Sequence, residues 1–120
     1  MAKKILVVDD EKNILTTLKK VLEADGYAVD TAENGAECLA KAAQAKYAVA
    51  LLDIRLPDIL GTVLLNKLKE LQPRLVPIMV TGDTDVQNAV DALNQGAEAY
   101  IRKPINKEQL LAVIKEKLIN

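Results

Sequence analysis

The chain has 120 residues, half of them apolar, which suits one domain with a substantial buried core and leaves little room for a second. Its 16 basic and 17 acidic residues give a formal net charge of −1, so neither nucleic acid nor an anionic membrane is expected as a main partner. Cys38 has no second cysteine to pair with, no signal peptide is visible, and no apolar run approaches the ~20 residues that span a bilayer, so we expect a cytoplasmic protein.

Five short apolar runs alternate with stretches of helical periodicity. In chain order the runs are KILVV (4–8), YAVDTA (27–32), YAVALL (47–52), LVPIMV (75–80) and EAYIR (98–102). Each is followed by a stretch in which apolar residues recur at a spacing of three or four, beginning with Leu15, Leu18 and Leu22. Gly26 and Gly96 each follow such a stretch, at the position where a left-handed residue commonly ends a helix.

This alternation predicts an α/β fold, with a single doubly wound sheet of five parallel strands and helices on both faces. The first and third runs are the most uniformly apolar, which indicates central strands buried on both sides. The second run carries Asp30 and Thr31, which an edge strand tolerates. Gly61 is expected in a turn before the third helix. In such sheets ligands bind beyond the carboxyl ends of the strands, so functional residues are expected there.

Polar side chains follow four of the five runs. Asp9 and Asp10 follow the first run and Asp53 follows the third, while Thr81 follows the fourth and Lys103 the fifth. Parallel strands bring these positions to one end of the sheet. Acids gathered there need cations: Lys103 supplies one positive charge, and Mg²⁺ with oxygen ligands would supply the rest. The set fits phosphoryl transfer, with Asp53 as the nucleophile and the Asp9–Asp10 pair holding the metal.

Four motifs, VVDD, LLDIRLPDILG, VTGD and IRKP, occur in this order, and together they resemble the receiver domain (CheY-like) of two-component response regulators over essentially the whole chain. The resemblance implies one receiver domain over residues 1–120, with five helices and the flavodoxin-like strand order 2-1-3-4-5. It implies a phosphoacceptor that takes a phosphoryl group from a sensor histidine kinase or a phosphotransfer protein onto Asp53, with Mg²⁺ as the cofactor. Turnover of an external substrate is not expected.

The resemblance also assigns the metal ligands. It implies that Asp10 ligates Mg²⁺ directly and Asp9 partly through water, with Asp53 and the backbone carbonyl of Arg55 completing the protein's contacts. In this family the positions of Arg55 and Asp83 tune the lifetime of the phosphate. Because the two residues are oppositely charged here, we expect them to pair across the pocket and to screen the attacking water.

The remaining roles concern the phosphoryl group and the switch. The resemblance implies that Thr81 and Lys103 bind phosphoryl oxygens, that Gly82 leaves the group unobstructed, and that the Lys103–Pro104 peptide bond is cis. It makes Tyr100 the aromatic switch, with a plain packing role as the alternative. The surface of the fourth helix, fifth strand and fifth helix is then expected to change shape. A downstream effector protein or domain would bind the changed surface, or a second copy of the chain would bind it to form a homodimer.

Other classes of protein fit less well. A flavodoxin-like electron carrier needs a hydroxyl-rich phosphate loop after the first strand, where DDEKN is acidic, and a dinucleotide oxidoreductase needs a G-x-G-x-x-G motif that is absent. A haloacid-dehalogenase-like phosphatase has its nucleophile on the first strand, the reverse of the order here. The alternative that stays open is a receiver-like interaction module that works without phosphorylation. The chain is compatible with a stand-alone receiver and with a segment of a longer regulator or hybrid kinase.

Overall fold

The computed structural model describes residues 2–82 and 86–118, over which five strands alternate with five helices. The elements are β1 (Lys4–Val8), α1 (Lys12–Ala24), β2 (Ala28–Ala32), α2 (Gly35–Ala42), β3 (Val49–Leu52), α3 (Gly61–Leu71), β4 (Val76–Thr81), α4 (Val86–Asn94), β5 (Ala99–Arg102) and α5 (Lys107–Leu118). Every predicted run is a strand, displaced at either end by no more than two residues. Within the described ranges, no helix has both the length and the apolar character that crossing a bilayer requires.

The strands form one parallel sheet in the order β2-β1-β3-β4-β5, which confirms the predicted fold class and strand order. The two most apolar runs, β1 and β3, are interior strands, and all four residues of β3 are buried. Strand β2 is an edge strand, as predicted, and its Asp30 and Thr31 are half-buried. The more uniformly apolar a strand's sequence is, the more completely that strand is buried between the helices.

Two hydrophobic clusters lie on opposite faces of the sheet. Because successive side chains of a strand point to opposite faces, Ile5 and Val7 join the cluster that packs under α1 and α5, whereas Leu6 and Val8 join the one under α2, α3 and α4. Cys38 of α2 is fully buried in the second cluster. The helices thus cover both faces of the sheet. The amino and carboxyl ends of the strands are not covered by these two helical layers.

Gly26 and Gly96 end α1 and α4 in the left-handed conformation, with φ of 96° and 111°, as their positions in the sequence predict. Gly61 differs from its prediction, since it is the first residue of α3 and not part of a preceding turn. Its N–H donates to the carbonyl of Ile54 at 2.6 Å. A Cβ at this position would lie only 2.2 Å from the carbonyl oxygen of Asp53, so glycine is required where α3 begins against the end of β3.

We therefore expect Gly61→Ala to lower the free energy of unfolding by about 3 kcal/mol, the upper part of the range for overpacking, because backbone and not a flexible side chain blocks the new methyl group. Gly82→Ala is the matched control, since a Cβ there would lie 3.9 Å from Lys103, an ordinary van der Waals contact. The control should stay within about 1 kcal/mol of the wild type in urea denaturation. Equal stability of the two variants would contradict the steric account.

Candidate functional site

The backbone hydrogen bonds of the sheet continue for one residue past the carboxyl ends of three strands. They hold the residues of the candidate site side by side. Asp53, directly after β3, donates its N–H to the carbonyl of Val8 at 3.2 Å, and Asp9, directly after β1, donates to the last carbonyl of β2 at 3.1 Å. Lys103, directly after β5, donates to the carbonyl of Thr81 at 3.0 Å. Residues far apart in sequence therefore leave the sheet at the same level.

Three carboxylates meet at this end of the sheet. One oxygen each from Asp9, Asp10 and Asp53 lies within 4.8 Å of the other two. Asp9 and Asp53 are buried, with 3% and 7% of their surface exposed, whereas Asp10 is exposed. Like charges this close in a desolvated site repel one another, so the cluster needs positive charge.

The side chain of Lys103 provides part of that charge. Its Nζ lies 2.7 Å from Oδ2 of Asp9 and 3.2 Å from Oδ2 of Asp53, within hydrogen-bonding distance of both. It also lies 3.7 Å from Oε1 of Glu11. The lysine side chain is 16% exposed, so its pairs with Asp9 and Asp53 are largely desolvated, whereas Glu11 is mostly exposed. One ammonium group thus joins the ends of β1, β3 and β5.

This single ammonium does not fully compensate the acids. Burial raises the pKa of Asp9, and the hydrogen bond from Lys103 offsets that effect only in part. Burial alone would lower the pKa of Lys103, but the hydrogen bond to Asp9 and the charges of Asp53 and Asp9 outweigh it and raise the pKa. A site with surplus negative charge and only oxygen donors fits a hard divalent cation, Mg²⁺ among them.

The cluster opens into a depression of about 380 Å³ at the surface. Its lining comprises Asp10, Glu11, Asp53, Arg55, Thr81, Gly82 and Lys103. Thr81 is the last residue of β4 and not the first one after it, and only 2% of its surface is exposed. Arg55 is exposed at the rim, and its N–H donates to Oδ1 of Asp53 at 3.4 Å. Six of the predicted residues therefore border one open space, and Asp9 lies behind them in contact with Lys103.

Two further predicted residues that are described, Tyr100 and Pro104, lie outside this lining. Tyr100, in β5, is half-buried and packs against the cluster under α2, α3 and α4. The Lys103–Pro104 peptide bond is cis. Asp83 lies outside the described residues.

Two acidic residues at or beside the site were not assigned a role from the sequence. Glu11 directly follows the predicted acidic pair, and its N–H donates to Oδ1 of Asp9 at 2.9 Å, which fixes that carboxylate. Its position next to VVDD was the available signal. Asp58 lies within the motif LLDIRLPDILG, and its carboxylate accepts hydrogen bonds from the start of α2. No local pattern predicts that contact, because its partners are more than twenty residues away.

Known proteins share both the sequence and this architecture. The sequence-family model described as the response regulator receiver domain matches residues 5–115 of this chain. The transcriptional regulatory protein ResD of Bacillus subtilis is 37% identical over 93% of this chain and 46% of its own length. A CheY-like receiver domain protein from Methanospirillum hungatei is 48% identical, with a TM-score of 0.96 over 99% of this chain and 95% of that one.

A third relative was solved in a modified state. The structure of a Burkholderia pseudomallei response regulator with a phosphorylated aspartic acid, calcium ion and citrate is 35% identical, with a TM-score of 0.88 over 98% of this chain and 75% of that one. Among curated relatives, the chain spans between 24% and 50% of the relative's length. The similarity therefore extends over nearly all of this chain and only part of those longer proteins.

The partial compensation by Lys103 leads to a prediction about metal binding. Lys103→Met removes the ammonium group, so in EDTA we expect a loss of about 2 kcal/mol in stability, less than for a fully buried pair. Mg²⁺ should then raise the melting temperature of the variant more than that of the wild type, because the ion replaces the missing charge. Thermal melts in EDTA and in MgCl₂ measure both effects.

Lys107→Met serves as the control for this comparison, since Lys107 is an exposed lysine at the start of α5. It should melt like the wild type under both conditions. If Mg²⁺ shifts the melting temperature of Lys103→Met and of the wild type equally, Lys103 does not compete with the metal for the carboxylates.

Proposed function

The chain belongs to the response regulator receiver family of two-component signal transduction, and from this premise we propose that it accepts a phosphoryl group on Asp53. The proposed donor is a sensor histidine kinase or a phosphotransfer protein. The proposed receiver domain covers residues 1–120, and the proposed compartment is the cytoplasm.

The ion pair of Lys103 with two buried acids carries this proposal. Lys103 Nζ lies 3.2 Å from Asp53 and neutralises part of the negative charge that an incoming phosphoryl group would otherwise meet. Asp53 is nevertheless part of the lining of the open depression, which gives a donor access to it. An ion pair that only stabilised the fold could be closed off from solvent, whereas Asp53 borders the depression.

Mg²⁺ is the proposed cofactor. Asp9, Asp10, Asp53 and the backbone carbonyl of Arg55 would hold it, and the clustered carboxylate oxygens together with the raised pKa of Asp9 support that assignment. When bound, the ion supplies positive charge beside the oxygens of the phosphoryl group in transfer.

The proposed transfer uses the remaining side chains as follows. A carboxylate oxygen of Asp53 forms a bond to phosphorus while the P–N bond of the donor phosphohistidine breaks, and the electron pair stays on the imidazole nitrogen. The ammonium of Lys103 pairs with one phosphoryl oxygen, and the hydroxyl of Thr81 donates to another. A side chain at Gly82 would extend beside the stem of Lys103, so glycine keeps that approach open. Hydrolysis later returns the free carboxylate and inorganic phosphate, without an external substrate.

The proposed switch follows from the added charge. An aspartyl phosphate has more acceptor oxygens than a carboxylate, so a conformer in which Thr81 and Lys103 bind it gains population. Tyr100, one strand away from Thr81, would turn inward as the threonine moves. The surface of α4, β5 and α5 then changes, and exposed Val90 and Leu93 give α4 apolar side chains that an effector or a second copy could bury.

Phosphorylation itself is the direct test of this function. We expect incubation with phosphoramidate and Mg²⁺ to add the mass of one phosphoryl group, and we expect EDTA to prevent it. Asp53→Asn should abolish the addition, because an amide is not a nucleophile for phosphorus. Asp25→Asn, at the exposed carboxyl end of α1, should be phosphorylated like the wild type. Intact-protein mass spectrometry measures all four samples.

The opposite result identifies the alternative function. An unmodified wild type, or equal phosphorylation of Asp53→Asn, would contradict the assignment of Asp53. A chain that binds its partner without any modification would be a receiver-like interaction module. A stable redox-active flavin would indicate an electron carrier, and turnover of a phosphate ester a phosphatase.

The lifetime of the phosphate is a separate prediction. We propose that Arg55 pairs with Asp83 across the pocket and that the pair screens the water that attacks the aspartyl phosphate. Arg55→Ala and Asp83→Ala should then each accelerate dephosphorylation, and the double variant should add little further, because either change breaks the same pair. Phosphate release from purified, phosphorylated protein measures the rates. Rates equal to that of the wild type would reject the pairing.

A further inference from the structure

The loop between β3 and α3 is attached to α2 by the carboxylate of Asp58. Its two oxygens accept hydrogen bonds from the backbone N–H groups of Gly35 at 2.9 Å and Ala36 at 3.0 Å. The bond to Gly35 is the main reason why the pKa of Asp58 is lowered, and the bond to Ala36 adds to it. These are the first two residues of α2, where unpaired N–H groups and the helix dipole favour a negative charge.

The same loop is held tightly at its base. Gly61 donates to the carbonyl of Ile54 at 2.6 Å, and Arg55 and Leu60 form a single antiparallel bridge. The backbone of α3 begins so close to Asp53 that a Cβ on Gly61 would clash with its carbonyl. The loop therefore has two attachments, one beside the acceptor and one to a neighbouring helix.

The second attachment is also close-packed. A Cβ on Gly35 would lie 2.3 Å from Cγ2 of Ile59, so the start of α2 and the far side of the loop are in direct contact. Pro57, Asp58 and Leu60 are exposed, whereas Leu56 and Ile59 pack against the core cluster under α2, α3 and α4. The paired hydrogen bonds of Asp58 add polar contacts to this packing and join the loop to the start of α2.

From this geometry we infer that Asp58 is a positioning residue for the acceptor site, an inference that rests on the proposed function. By holding the loop on α2, Asp58 fixes the backbone at Arg55, whose carbonyl is a proposed metal ligand and whose N–H donates to Oδ1 of Asp53. A loop that loses this attachment would present the carbonyl and the acceptor carboxylate less uniformly. The affinity for the divalent ion would therefore fall, although Asp58 does not touch the ion.

A purely structural role makes a different prediction, and α2 offers a matched control. Asn34 caps the same helix, with Oδ1 accepting the N–H of Glu37 at 2.8 Å, but Asn34 does not belong to the β3–α3 loop. If Asp58 only stabilises α2, Asn34→Ala and Asp58→Ala should have the same effects. If Asp58 positions the loop, the two variants should lose stability alike and differ in metal affinity.

The test is a titration of the 120-residue chain as wild type, Asp58→Ala, Asp58→Asn and Asn34→Ala with Mn²⁺, an oxygen-preferring stand-in for Mg²⁺. The electron paramagnetic resonance signal of unbound Mn²⁺ gives the dissociation constant, and urea denaturation without metal gives stability. We expect Asp58→Ala to bind about tenfold more weakly than the wild type, the lower end of the effect of losing a group that orients metal ligands. Asp58→Asn keeps one acceptor oxygen and should lie in between, and Asn34→Ala should bind like the wild type.

Two results would overturn the inference: wild-type affinity in Asp58→Ala, or equally weakened binding in Asp58→Ala and Asn34→Ala. If Asp58→Ala does not fold, the same criteria apply to Asp58→Asn, which keeps the shape of the side chain. Failure of the wild type itself to bind Mn²⁺ is a distinct outcome, because it contradicts the proposed function and removes the basis of the inference with it.

Discussion

The ammonium group of Lys103, placed between the carboxylates of Asp9 and Asp53, is the interaction on which the site depends. Two desolvated acids at the end of a sheet repel each other, and the lysine that relieves this repulsion comes from beyond the last strand. The pairing is possible only when β1, β3 and β5 lie in their native positions. The charges of the site therefore compensate one another only when the sheet has its native strand order.

The compensation of the acids by Lys103 is incomplete, and the proposed chemistry of the site depends on this. The raised pKa of Asp9 shows that burial outweighs the contact with Lys103. A fully neutralised cluster would be a structural ion pair with no use for another cation, whereas this one retains negative charge beside an open depression. The proposed binding of Mg²⁺ and of a phosphoryl group uses that remaining charge and that opening.

Backbone contacts also set the geometry around Asp53. Asp53 follows a buried strand, continues the hydrogen-bond ladder to Val8, and is crowded by the start of α3 at Gly61. The loop that follows is fixed to α2 through Asp58. This arrangement links Asp53 to two helices on one face of the sheet, while Lys103 links it to β5, which is part of the proposed output surface.

The sequence by itself determined the class of fold and the identity of most residues at the site. Apolar runs alternating with helical periods require a parallel sheet, and the residues that follow those runs must gather at one end, because parallel strands all point the same way. Only the tertiary structure decided that Gly61 is needed for close approach and that Asp58 holds α2. Those contacts depend on distances between separate segments, and local periodicity carries no information about such distances.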